Sequence, residues 1–210
     1  MRRLPLLFAV LLLGGTLALT GCDSTGVSDD GEEDAPLRTI RVENLPADPD
    51  TSSAPGGRPQ GYNQFAFFDL RDSTLVLRSD TETRADSAST EWDIAFRSVD
   101  IIVNGGANGP GEGAVYLAEG AFQEVTEATP DSLTRDAVTD WYTYNANGNN
   151  IVRPTPGRTL VVRSADGESY AKIRILSYYE GAPETPAESD AASRYYTFEY
   201  QIQDDGTSFE

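Results

Sequence analysis

One apolar run, over residues 91–103, constrains the fold of this chain more than any other stretch. Trp92, Ile94 and Phe96 alternate with polar or small residues, which is the period-2 pattern of a strand with one buried face. After Ser98 the apolar positions change from even to odd numbers. One extra residue, as in a β-bulge, would keep both halves on the same core. We therefore predict one central bulged strand, with Trp92, Ile94 and Phe96 facing the same side.

Short strand patterns separated by Gly, Pro and Asn turns fill the rest of the chain after residue 36. Strands are predicted over residues 37–45, 62–70, 74–78, 114–117, 141–144, 158–163, 169–179 and 196–203. Residues 129–133, with Pro130 at the first helical position, predict one short helix. The glycine-rich residues 104–113 contain no Lys or Arg and precede a strand pattern, so turns are favoured over a phosphate-binding loop.

These patterns together predict an all-β fold. We expect a single, predominantly antiparallel β domain over residues 37–210, with one or two short helices. A chain of 210 residues suits one domain with a sizeable core.

The chain is strongly acidic, with 16 basic against 34 acidic residues and a formal net charge of −18. No basic stripe is available to displace counterions from phosphate, so nucleic acid is excluded as a partner. Lys172 is the only lysine. An acidic, lysine-poor composition is typical of proteins from a high-salt environment, and we predict a halophilic protein.

The N-terminus has the pattern of an export signal. Arg2 and Arg3 precede an apolar run that is too short to span a bilayer. The sequence Leu-Thr-Gly-Cys that ends at Cys22 resembles the bacterial lipobox, in which the cysteine is lipidated. We therefore predict a lipoprotein signal peptide over residues 1–21 and an acidic flexible tether over residues 22–36. Lipidated Cys22 would attach the protein to the membrane of the cell envelope, at the outer membrane or the cell surface.

Histidine, methionine and cysteine, which supply many of the nucleophiles and metal ligands of proteins, are nearly absent. The chain has no histidine, its only methionine is Met1, and its only cysteine is Cys22. No histidine is available as a general base or metal ligand, and no cysteine of the domain as a nucleophile. Among 34 acidic residues the sequence singles out no carboxylate pair for glycoside chemistry and no calcium site. We predict that the protein is not an enzyme and holds no metal through its own side chains.

Three stretches in order carry a family resemblance. They are residues 92–106 (WDIAF, then IVNGG), residues 161–179 (VVRSADG, then YAKIRILSYY) and residues 196–200 (YTFEY). With the lipobox, they resemble the HmuY family of exported haem-binding lipoproteins of Bacteroidetes-type bacteria, over roughly residues 37–207. The resemblance implies a predominantly β fold with minor helices and haem as the candidate cofactor.

The resemblance also implies two axial side chains on the haem iron, histidines or methionines, and this domain has neither. Tyrosinate is another haem ligand, but its reference pKa near 10 requires a nearby cation. Tyr142 and Tyr144 flank an Asn-rich loop and lie near Arg153 in the sequence, so these three are the candidate ligand-binding residues. Alternatively, the two tyrosines are ordinary aromatic strand residues at a rim and do not bind a ligand.

Two functions remain open at this point. The first is a lipid-anchored binding protein for haem, another tetrapyrrole or a small hydrophobic ligand, with an outer-membrane receptor as a candidate partner. The second is a structural or protein-interaction lipoprotein on the same scaffold that does not bind haem.

Overall fold

The computed structural model describes residues 37–51, 60–77, 88–145 and 150–210. The predicted signal peptide, Cys22 and the tether lie outside these residues. Residues Ala35–Glu210 form one compact unit. Its strands are β1 (Ile40–Pro46), β2 (Ala66–Asp69), β3 (Thr74–Leu77), β4 (Ile94–Arg97), β5 (Asp100–Val103), β6 (Ala114–Glu119), β7 (Tyr142–Asn145), β8 (Ile151–Pro154), β9 (Arg158–Arg163), β10 (Tyr170–Tyr179) and β11 (Ser193–Gln203). Two 3₁₀ turns, Pro130–Ser132 and Pro186–Glu188, are the helical elements of the described chain, and the all-β prediction is confirmed.

The strands form three antiparallel sheets. A five-stranded sheet has the order β1-β11-β10-β9-β6, a four-stranded sheet the order β3-β2-β4-β5, and β7 and β8 pair as a separate hairpin. Apolar residues from both larger sheets and from the hairpin make one buried cluster. The core therefore lies between the two larger sheets, as in a β-sandwich.

Aromatic side chains join the two sheets. Tyr196, Phe198 and Tyr200 alternate along β11 as predicted, and all three are fully buried. The ring of Phe198 lies 5.4 Å from that of Phe96 and 5.6 Å from that of Phe68, so β11 packs on both β4 and β2. Such ring pairs add about 0.5–1.5 kcal/mol each beyond the buried area.

The apolar run over residues 91–103 is a hairpin, and the prediction of a single bulged strand is wrong. β4 and β5 pair with Arg97 opposite Asp100, which leaves Ser98 and Val99 as a two-residue turn. Ser98 has a φ of 50°, in the left-handed region that such tight turns require. A two-residue turn moves the apolar set from even to odd positions, as a one-residue bulge does, so periodicity alone could not separate the two.

Trp92 does not share a face with Ile94 and Phe96, and that prediction is also wrong. Trp92 is fully buried in a second cluster with Phe67, Ala95 and Ile102, on the outer face of the four-stranded sheet. The cause lies in Asp93, whose carboxylate accepts backbone hydrogen bonds from Leu70 and Ala165 at 2.9 and 2.7 Å. These bonds hold residue 93 outside the strand, which begins only at Ile94.

Other predicted elements agree with the structure. β2 and β3 form the predicted hairpin, β9 has the predicted bounds, and the short helix at Pro130 is present as a 3₁₀ turn. The glycine-rich loop is closed by the buried side chain of Asn104, which donates to the carbonyl of Trp92 at 2.7 Å and accepts from the amide of Gly111 at 3.0 Å. Strand β8 was not predicted.

Candidate functional site

The β7–β8 hairpin carries the residues that the sequence singled out. In its register Tyr142 lies opposite Pro154, Thr143 opposite Arg153, and Tyr144 opposite Val152. Cross-strand partners point to the same face of a sheet, and successive residues alternate. The two tyrosines therefore share one face of the hairpin, and Arg153 lies on the other.

The two tyrosines have different surroundings. Tyr142 is half-buried, and its ring lies 4.9 Å from that of Trp141 at the edge of the core. Tyr144 is 53% exposed, and its hydroxyl donates to the side-chain oxygen of Asn150 at 2.9 Å. Tyr144 thus lies at the rim, and Tyr142 contributes to packing.

A cleft of about 330 Å³ opens along β8, and its lining includes residues from both faces of the hairpin. It is lined by Val152, Arg153 and Pro154 of β8, by Leu176, Ser177, Tyr178 and Tyr179 of β10, and by Ala182, Pro183, Glu184 and Pro186 of the following loop. Most of these residues are apolar or aromatic in type, but the surface that faces the cleft is more polar than apolar, and its charged side chains are one cation and one carboxylate. The volume is at the lower end of the range of about 300–1,000 Å³ for small-molecule sites, so a larger ligand would remain partly exposed.

Arg153 makes no ion pair with the described residues. Most other arginines in the described residues are paired, for example Arg174 with Glu199 at 2.6 Å and Arg158 with Glu119 at 2.7 Å. The Arg153 side chain is exposed at the cleft, where an anion can reach it. An unpaired guanidinium at a cleft of mixed polarity is suited to a ligand that carries a carboxylate.

Tyr178 and Tyr179 line the cleft from β10, and their hydroxyls are engaged. Tyr179 accepts a hydrogen bond from the backbone amide of Val152 at 3.1 Å, which fixes β8 against β10. The hydroxyl of Tyr178 lies 3.4 Å from that of Ser98. Burial raises the pKa of Tyr178, so this side chain stays protonated at neutral pH. Both tyrosines lie in a strand that the sequence predicts, but no sequence signal indicated that they line a site.

The turn at Ser98 and Val99 supports this end of the sandwich. The Ser98 carbonyl accepts a hydrogen bond from the hydroxyl of Tyr196 at 2.8 Å, and the Val99 carbonyl accepts one from the indole of Trp141 at 3.0 Å. The Ser98 amide donates to the Ala47 carbonyl at 2.9 Å. Strands from both sheets and the hairpin are therefore tied to one turn, which makes the wall behind the cleft rigid.

A second cleft, of about 350 Å³, lies between β6 and residues 134–140. Its charged lining residues are Glu119, Asp136, Asp140 and Arg158, and the arginine is already paired with Glu119. Its acidic lining would repel a carboxylate. We therefore take the cleft beside Arg153 as the candidate site.

The residues of the candidate site fit the ring and the carboxylates of a haem better than its iron. Its lining contains no histidine, methionine or cysteine. The hydroxyls of Tyr178 and Tyr179 already have partners behind the cleft. The apolar side chains among the lining residues and Arg153 suit a flat molecule with acidic groups, but no lining side chain supplies a usual axial ligand. Among the described residues, no cluster of three or more His, Cys, Asp or Glu could hold a metal ion.

Fold and cleft together define a class of protein: an antiparallel β-sandwich with a ligand-sized cleft at the end where a separate hairpin packs. The family model of the HmuY protein matches residues 61–200. The chain belongs to the HmuY family, as the three sequence stretches indicated.

One solved structure similar to this chain is a protein of Bacteroides vulgatus assigned as HmuY-like and heme-binding. The two share 15% identity with a TM-score of 0.41, over 78% of this chain and 90% of the other. No curated protein matches the chain. Within the described residues, no helix has the length and apolar character needed to cross a membrane.

Proposed function

We propose that this protein is a lipid-anchored binding protein of the cell envelope that takes haem, another tetrapyrrole or a similar flat acid into the cleft beside Arg153. The observation that carries the proposal is the guanidinium of Arg153, which has no ion pair with the described residues and stands at a cleft lined in part by apolar and aromatic side chains. Membership of the HmuY family supports a tetrapyrrole.

Each part of the cleft would have its own role. Val152, Pro154 and Leu176 would cover the ring, since burial of apolar area gives about 25 cal/mol per Å². Arg153 would pair with a carboxylate of the ligand and orient it. Tyr179 would hold β8 in position through the amide of Val152.

The membrane attachment rests on the sequence alone. The signal-like residues 1–21, the lipobox-like sequence at Cys22 and the acidic tether support a lipid anchor that leaves the domain free in solution. An outer-membrane location and a receptor that accepts the ligand belong to the same proposal. Labelling of cells with a fatty-acid analogue tests the anchor: Cys22→Ala should lose the label, and a label that survives this substitution would contradict lipidation.

The second candidate is an interaction lipoprotein that binds no haem, and the absence of histidine and of methionine beyond Met1 favours it. One titration separates the two. The chain from Asp23 onward contains every described residue, and Trp141 lies 6.4 Å from the cleft residue Tyr178, so ligand binding should quench its fluorescence. Ferric haem should quench saturably, and haem dimethyl ester, which lacks free carboxylates, should bind at least several-fold more weakly. Absence of saturable quenching by haem would contradict the binding function.

A further inference from the structure

The ligand atoms that the candidate site can contact belong to the ring and its carboxylates, and the site has nothing suited to a central metal. This distinction matters because an axial ligand is the main hold of a protein on haem iron. The apolar side chains of the lining and the guanidinium of Arg153 act in the same way on a porphyrin with or without a metal.

Apart from tyrosine, the residue types that usually bind haem iron are rare in the whole chain. Histidine is absent, methionine occurs only at position 1, and cysteine only at the predicted lipidation site, Cys22. In the sequence of residues 52–59, 78–87 and 146–149, which the structure does not describe, there is no tyrosine either. Tyrosines of the described domain are therefore the remaining usual axial ligands.

The hydroxyls of the two tyrosines that line the cleft, Tyr178 and Tyr179, already have partners within the protein. Tyr179 accepts the Val152 amide, and the hydroxyl of Tyr178 lies beside that of Ser98. Burial raises the pKa of Tyr178, which disfavours the phenolate that iron requires. Either phenol would have to leave its partner to reach a ligand, and in the case of Tyr179 the amide of β8 would lose its acceptor.

The two tyrosines of the β7–β8 hairpin do not supply an axial ligand at the cleft either. Neither Tyr142 nor Tyr144 is among the residues that line the cleft, so neither phenol is placed to hold an iron there. Tyr144 is exposed and donates to Asn150. The one carboxylate of the lining, Glu184, is exposed to water and is not among the usual axial ligands of haem.

We infer that the cleft recognises a porphyrin-like dicarboxylic acid independently of its metal, so that ferric and metal-free rings bind equally well. This inference rests on the proposed binding function. The protein is then a carrier that recognises the ring and the carboxylates of a tetrapyrrole and does not recognise the iron.

Parallel titrations with ferric protoporphyrin IX and metal-free protoporphyrin IX test the inference. A Trp92→Phe variant of the chain from Asp23 leaves Trp141 as the only tryptophan and reports on the cleft. The two dissociation constants should agree within about threefold, and Arg153→Gln should raise both by the same factor. The absorption spectrum of the ferric complex should lack the bands of a protein ligand on iron.

The possible outcomes separate the inference from the function on which it rests. Binding of the ferric form tenfold or more tighter, with a spectrum of axial ligation, would overturn metal independence and leave the binding function standing. Tenfold tighter binding of the metal-free form would overturn it as well. Failure of both rings to bind would overturn the binding function and the inference together.

Discussion

The hydroxyl of Tyr196 on β11 donates a hydrogen bond of 2.8 Å to the carbonyl of Ser98 in the β4–β5 turn. This bond joins the five-stranded sheet to the four-stranded sheet at the end of the sandwich that carries the cleft. Tyr196 is fully buried, and burial raises its pKa well above the ordinary value, so the phenol is a permanent donor. The structure of the cleft therefore depends on contacts made behind it.

Removal of this hydroxyl should destabilise the protein. Tyr196→Phe keeps the ring but leaves the Ser98 carbonyl without this donor, and we expect a loss of about 1–2 kcal/mol in the free energy of unfolding. Denaturant titration measures the loss. Tyr144→Phe is the matched control, because its hydroxyl is at the surface, and it should cost less than about 0.5 kcal/mol. Equal effects of the two substitutions would contradict the role given to Tyr196.

The carboxylate of Asp166 should make stability depend on acid pH. Burial alone would raise the pKa of Asp166, but hydrogen bonds from Ser164, from the Glu168 amide and from Arg71 outweigh it and lower the pKa to about 2. Because the folded pKa is below the unfolded value, Asp166 stabilises the fold fully above about pH 4, and this contribution is lost as the pH falls towards 2. The side chain is 36% exposed, so solvent screening reduces the effect.

Two substitutions test this pH dependence. At pH 7, Asp166→Asn should lower the free energy of unfolding by about 1 kcal/mol, and the difference from the unsubstituted protein should shrink as the pH falls and vanish below about pH 2. Asp204→Asn is the control, since Asp204 lies 3.6 Å from the same Arg71 but is 75% exposed. A penalty for Asp166→Asn that stays constant from pH 7 to pH 2 would exclude the carboxylate as its cause.

The net charge of −18 should make the fold depend on salt. Repulsion among the acidic groups destabilises the compact state, and the screening length falls from about 10 Å at 0.1 M to about 3 Å at 1 M salt. The thermal midpoint should therefore rise between 0.1 and 1 M NaCl. A protein that is equally stable in dilute buffer would argue against the halophilic assignment.

The class of fold could be predicted from the sequence, because period-2 alternation in β10 and β11 is a local signal. Whether residues 91–103 form one bulged strand or a hairpin could not be predicted in the same way. A bulge and a two-residue turn shift the apolar set alike, and the choice depends on whether β5 pairs with β4, which is a tertiary contact. The position of Trp92 was missed because Asp93 binds the amides of Leu70 and Ala165, both distant in sequence.

The candidate site was only partly accessible to sequence reasoning. Arg153 was named from its nearness to two tyrosines in the chain, but the register of the hairpin puts it on the opposite face from them. Strand β8 gave no alternating signal, since Val152 is its one fully buried residue. That Arg153 has no ion pair with the described residues is also a tertiary fact, because the partners of the other arginines are mostly distant in sequence, as Glu199 is from Arg41.

Substitution of Arg153 tests the central claim most directly. Arg153→Gln removes the unpaired guanidinium beside the cleft, and Arg38→Gln removes an exposed arginine of the same charge that likewise has no ion pair with the described residues and does not line the cleft. Titration with ferric haem, followed through tryptophan fluorescence, should show about fivefold weaker binding for Arg153→Gln, as expected for about 1 kcal/mol, and no change for Arg38→Gln. Equal haem affinities of the two variants would contradict the assignment of the ligand site to this cleft.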